Sequence, residues 1–159
     1  TPIKSSAASD VYKRQVMKSF FLYGTPLKGN GVSAFLFLLR LFVGIMMLAH
    51  GGVKLANFGS LMNTFPDPLG VTPMVSLLLS VSAEVGCSVL LIFGILTRLV
   101  TLPLIFNMLV AVFVIHGGDA FQAKELAVMY LAVYVFFFFI GGGRYSLDYR
   151  IFGKAAWKE

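Results

Sequence analysis

Four apolar stretches dominate this chain, and lipid is the one solvent in which four such stretches can coexist. They run from about Ser33 to Ala56, Met74 to Leu96, Leu99 to Ile115 and Glu125 to Ile140. A membrane helix needs about 17–25 residues at a rise of about 1.5 Å each. The first two stretches have that length, and the last two reach it by extending into their flanks. The fourth holds VYVFFFFI (Val133–Ile140), a run rich in strand-favouring residues. An open sheet edge leaves backbone groups unpaired in hydrocarbon, so helix is the physical reading there too. The predicted fold class is all-α: a polytopic membrane protein built as an antiparallel four-helix transmembrane bundle.

Composition excludes the competing classes. Of 159 residues, 58% are hydrophobic and 13% charged, with a mean hydropathy of +0.85. Soluble domains average about 45–50% apolar and about 25% charged. Too few polar side chains remain to cover a surface in water, which removes a soluble globule and a disordered chain. The formal charge of +6 is no sign of nucleic-acid binding, because most basic residues flank the apolar stretches. The single thiol, Cys87, forms neither an internal disulfide nor a CxxC pair. Any redox role therefore requires a bound cofactor or a protein partner.

Residues 1–16 are polar and lack the apolar core of a signal peptide. Met17-Lys18-Ser19-Phe20 reads as a natural start, so 1–16 is expected to be a non-native or disordered leader. Residues 17–32 form an N-terminal flank, 33–150 the membrane domain and 151–159 a basic tail. In the Asn57–Pro73 connector, Phe58, Leu61, Met62 and Phe65 follow i, i+3, i+4, i+7 spacing. That predicts a short interfacial helix between helices 1 and 2. Pro103 falls about one turn into the third helix, where a missing N–H matters least. Without residues 1–16, the flanks on the N-terminal side carry seven Lys and Arg and the other side has Lys54 and Lys124. The positive-inside rule then places both termini in the cytoplasm, with bacterial inner membrane as the expected location.

Charges inside the spans need partners. Arg40 lies about two turns into the first helix and Glu84 near the middle of the second, so the two are expected to face each other in the bundle. Such a pair either locks two helices or serves as a proton carrier or ligand contact. On a regular helix Arg40, Met47, His50 and Lys54 fall within about 80°, and Gly44 and Gly51 border that arc, where small residues admit a close neighbour. Ser76, Ser80, Glu84 and Ser88 recur every four residues. Asn107 points about 180° away from His116 on a regular helix and is left out of the site. Topology gathers His50, Lys54, His116, Asp119, Lys124 and Glu125 at one end of the bundle. They suit a polar ligand, a proton relay, or a network that caps helix ends. His50 and His116 are also the weak candidates for haem or metal ligation, although no other haem feature and no tight metal-spacing motif accompanies them. Phe136–Phe139 suit a quinone pocket or lipid-facing bulk equally well.

The chain resembles the DoxX family of small four-helix membrane proteins. The carrying segments are LLRLFVGIMMLAHGGVKL (Leu38–Leu55), DPLG (Asp67–Gly70), AEVGCSVLLIFGILTR (Ala83–Arg98), HGGDAF (His116–Phe121), KELAVMYL (Lys124–Leu131) and GGGRYSLD (Gly141–Asp148), in that order. The resemblance implies a subunit of a quinone-linked or thiol-redox membrane complex, as in thiosulfate:quinone oxidoreductase. Its recurrent polar positions map to Arg40, His50, Lys54, Glu84, His116 and Glu125. In that reading Glu84 or His116 moves the protons of quinone chemistry, with partners or further copies of the chain around it. The alternatives are a non-catalytic scaffold and a small-solute or proton pathway.

Overall fold

The computed structural model describes Val11 and residues 30–153, and the expected leader falls almost wholly outside that range. Among the described residues four helices are long and apolar enough to cross a membrane. They are α1 (Asn30–Ala56), α3 (Pro73–Phe93), α4 (Thr97–Ile115) and α5 (Phe121–Ile140). No described residue is in a strand. The third and fourth spans do extend beyond their apolar cores, as lipid thickness requires. The chain is therefore an all-helical membrane protein in contact with lipid.

A one-turn helix, α2 (Phe58–Leu61), follows α1. Phe58, Leu61, Met62 and Phe65 are half-buried, while the residues between them at 59, 60, 63 and 64 are exposed. The expected amphipathic face is there, but regular helix covers only its first turn. Pro103 also sits deeper than expected, because α4 begins at Thr97. Its missing N–H leaves the Leu99 carbonyl without the ordinary helical donor.

Consecutive spans pack side by side, and side chains from all four meet in one core. Val43 and Met47 of α1, Leu91 of α3, Val100, Leu104 and Met108 of α4, and Tyr130 and Tyr134 of α5 form it. The buried residues of α5 (Tyr130, Tyr134 and Phe137) form a narrow seam at i, i+4, i+7. Of the Phe run, Phe137 is in the core and Phe139 is 62% exposed.

Close approach of α1 and α3 depends on two glycines. A Cβ on Gly51 would lie 2.8 Å from Cβ of Glu84, and one on Gly44 would collide with Ile92. This pairing sets the register of the hairpin. Two spans also widen locally into π-helix, at Ser82–Cys87 in α3 and Ala111–Ile115 in α4. Such segments take an extra residue into a turn and rotate everything beyond them.

Candidate functional site

Arg40 and Glu84 do not pair. With Gly51 against Glu84, Arg40 lies eleven residues further along α1, about 16 Å away. It is level with the last turn of α3. There the fully buried guanidinium donates to the carbonyls of Ile92 (3.3 Å), Gly142 (2.6 Å) and Tyr145 (2.9 Å). The Ile92 carbonyl, in the last turn of α3, lacks an intrahelical donor and carries the negative end of the dipole, and the Gly142 and Tyr145 carbonyls come from the segment after α5. Gly94 ends α3 in the left-handed region (φ 69°), and a Cβ there would sit 2.6 Å from Arg40 Nη1.

Asp148 completes this end with the opposite charge at a helix start. Its carboxylate accepts from the amides of Leu96 (2.6 Å) and Thr97 (2.8 Å) and from the Thr97 hydroxyl (3.0 Å). These bonds hold Leu96 at φ 49°, a conformation most side chains avoid. Arg98 donates to the Phe139 carbonyl (2.7 Å). The segment 141–148 therefore closes the Arg40 end of the bundle, with the Arg40 guanidinium taken up by its carbonyls and that of Ile92.

The partner of Glu84 is Lys54. Glu84 is 3% exposed, and its Oε1 accepts from Lys54 Nζ (2.5 Å), Ser80 Oγ (3.2 Å) and Asn107 Nδ2 (2.9 Å). Lys54 also donates to Ser80 Oγ (3.0 Å), and its ammonium lies over the Phe65 ring. Glu84 Oε2 is buried and has no hydrogen-bond partner among the described residues. Asn107 belongs to the site after all. The π segment Ala111–Ile115 lies between Asn107 and His116 and reduces their angular separation from about 180° to about 90°. Both side chains then reach one pocket. A single residue gained within a helix turn leaves no mark in apolar periodicity, so this was not visible in the sequence.

That pocket has a volume of about 360 Å³, within the range of small-molecule sites. Ser76, Leu79, Ser80 and Ala83 of α3 form one wall, and Pro103, Phe106, Asn107 and Val110 of α4 form another. Each set has i, i+3, i+4, i+7 spacing, one face of a helix. Lys54 and Glu84 supply charge on the α1–α3 side, His116 stands at one end, and Phe65, Pro66 and Pro68 of the connector cover it. The connector is pinned by Asp67, which accepts from the amides of Val71 (3.0 Å) and Thr72 (2.8 Å) and from Ser76 Oγ (2.7 Å). The Ser76 hydroxyl, and then the backbone amides, hold the Asp67 carboxyl below the usual carboxylate range. Thr72 caps α3 at φ 122°, a strained value for a β-branched residue, and Asp67 keeps it there.

Of the other expected residues, His116, Asp119 and Lys124 stay together, whereas His50 and Glu125 stand apart from them. His116 Nδ1 meets Asp119 Oδ2 at 2.8 Å, and Lys124 donates to the carbonyls of His116 and Gly117, both at 3.2 Å. His50 is exposed and lies edge-on to Tyr130, with ring centroids 6.0 Å apart. Glu125 is exposed on α5, just past its first turn. Neither His50 nor Glu125 lines the pocket, and neither does any of Phe136–Phe139. The two histidines therefore have different surroundings. Among the described residues no group of three or more His, Cys, Asp or Glu is placed to hold a metal ion.

Comparison with known proteins adds three findings. The family model described as DoxX matches residues 35–117. An uncharacterized protein of Haemophilus influenzae is 34% identical over 127 residues, covering 76% of this chain and 92% of that relative. No solved structure matches.

Proposed function

The chain belongs to the DoxX family, and on that premise we propose that it is a membrane subunit of a redox complex whose pocket binds a quinone headgroup. The observation that carries this reading is a buried carboxylate, pinned on one oxygen by Lys54, Ser80 and Asn107, on the wall of a mostly apolar cavity. A quinone has an apolar ring and two carbonyls, and needs a few convergent polar groups on apolar walls. An ammonium has three donors. Two of those on Lys54 go to Glu84 and Ser80, leaving one for a quinone carbonyl. Glu84 and His116 are the pocket groups that can pass protons.

Reduction of a quinone to its quinol consumes two electrons and two protons. A protein partner supplies the electrons from a reduced-sulfur donor, a thiol or thiosulfate. The protons come through Glu84 and His116 from the His116 end. In this reading the chain sits in a bacterial inner membrane with both termini cytoplasmic, supported by the seven-to-two distribution of Lys and Arg.

The test is quinone titration of the purified protein in lipid nanodiscs, followed by native mass spectrometry. Glu84→Gln is expected to weaken binding by about tenfold or more, about 1.4 kcal/mol, while the helical content stays the same. A deletion strain is expected to lose quinone-dependent oxidation of thiol or thiosulfate. If Glu84→Gln lowers only the abundance of the assembled complex and leaves turnover per complex unchanged, the chain is a scaffold instead.

A further inference from the structure

We propose that the pocket is loaded sideways from the bilayer, through the gap between the first half of α3 and the second half of α4. Its ligand is accordingly lipid-tailed and leaves its tail in that gap. The headgroup identity rests on the quinone reading above, whereas the route does not.

The gap follows from how the two helices part. Residues 82–93 of α3 pack along α4, but Pro73–Val81 stand off from it. The pocket occupies the space between. Leu78, Leu102 and Leu109, which do not line the pocket, form exposed outer surface, and beside them Leu79 and Phe106 do line it and are 52% and 54% exposed. In a membrane that outer surface is lipid, so these two side chains belong to the cavity and to the acyl-chain layer at once. Pro103, at the deep end, is exposed in the same way. From Pro103 to His116 the pocket runs along thirteen residues of α4, about 20 Å, or well over half the hydrocarbon thickness.

The side toward water is built differently. Phe65, Pro66 and Pro68 lie over the cavity, and Asp67, between the two prolines, ties that cover to the start of α3 through three hydrogen bonds. A solute from water has to displace an anchored cover. A molecule from lipid has only apolar side chains to pass, with no hydrogen bond to break. It then meets Ser80, Glu84 and Asn107 while its tail stays among chains of its own kind.

The route is tested in nanodiscs with two photoreactive probes, a phospholipid bearing a diazirine on its acyl chain and a charged, water-soluble diazirine. The acyl-chain probe is expected to label Ala83 and Asn107, inside the pocket, at least about tenfold more than the charged probe. Leu79→Trp or Phe106→Trp should fill the gap and cut that labelling by about tenfold, while Leu78→Trp, on the lipid face outside the pocket, should leave it unchanged. Stronger labelling of Ala83 by the charged probe, or equal labelling in all three variants, overturns the proposal. Competition then addresses the ligand. A long-tailed quinone should displace the acyl-chain probe at lower concentration than its tailless headgroup. If neither quinone competes although the acyl-chain probe still labels Ala83, the quinone reading fails and the lateral route stands.

Discussion

Lys54 is the residue on which the buried acid depends. It is a lysine close to the end of a span, 30% exposed at its side chain, facing a carboxylate that is 4% exposed. Removing one member of a buried pair leaves the other charge without compensation, at a cost of about 3–5 kcal/mol. Lys54→Met is therefore expected to lower the thermal unfolding temperature in detergent clearly, and Glu84→Gln added to it should recover most of the loss. If the double variant is no more stable than Lys54→Met alone, the pair is not what stabilises Glu84. At this scale the sequence revealed that Glu84 needed a cation but named the wrong one. Arg40 and Lys54 lie on the same arc of α1, fourteen residues apart, and only the register of the hairpin chooses between them. That register is set by Gly51 packing on Glu84 and Gly44 on Ile92, contacts that become visible only when both helices are in place. Arg40, free of Glu84, instead closes helix ends through carbonyls, which no pattern of side chains reports.

The helices themselves were legible, because lipid admits one backbone solution for long apolar segments. Their fine structure was not. The π segments in α3 and α4 both contribute to the pocket wall, and the one in α4 brings His116 round toward the face of Asn107, yet they leave apolar spacing intact. The α1–α3 contact gives a direct check. Gly51→Ala places a methyl 2.8 Å from both Glu84 Cβ and Val85 Cγ2. Overpacking of this kind costs about 1–3 kcal/mol. The variant should melt earlier and bind quinone less tightly, whereas Gly52→Ala, which meets nothing within 4 Å, should resemble the parent in both assays. The start of α3 makes a prediction in pH. Asp67 is held below its ordinary value by Ser76 and the amides, so its stabilising contribution is present above about pH 4 and disappears as pH falls through its lowered value. The parent should lose more thermal stability than Asp67→Asn on acidification from about pH 6 to about pH 3. Parallel losses in the two proteins would remove Asp67 as the clamp.

At the scale of the whole molecule the two ends of the bundle differ in kind. The His116 end holds a pocket, a covering connector and a titratable network. The Arg40 end is filled by 141–148 and carries Arg40, Arg98 and Asp148, all buried. A water-filled route through the bundle would have to pass that closure and the packed core of Leu91, Leu104 and Tyr134, each fully buried. Proteoliposomes are accordingly expected to show no proton flux above empty vesicles, with or without Glu84→Gln. A flux that the substitution abolishes would establish a pathway instead.

The Asp148 cap also bears on the order in which the protein is made. Leu96 and Thr97 leave the ribosome about fifty residues ahead of the carboxylate that completes their helix start. Until Asp148 arrives, the Leu96 and Thr97 amides lack the carboxylate that caps them, and Arg40 awaits two of its three carbonyls. Three spans can thus already be threaded through lipid while one end stays unlatched. The segment 141–148 acts as the bolt, so a nascent chain cut short before residue 148 should be a ready target for membrane quality control.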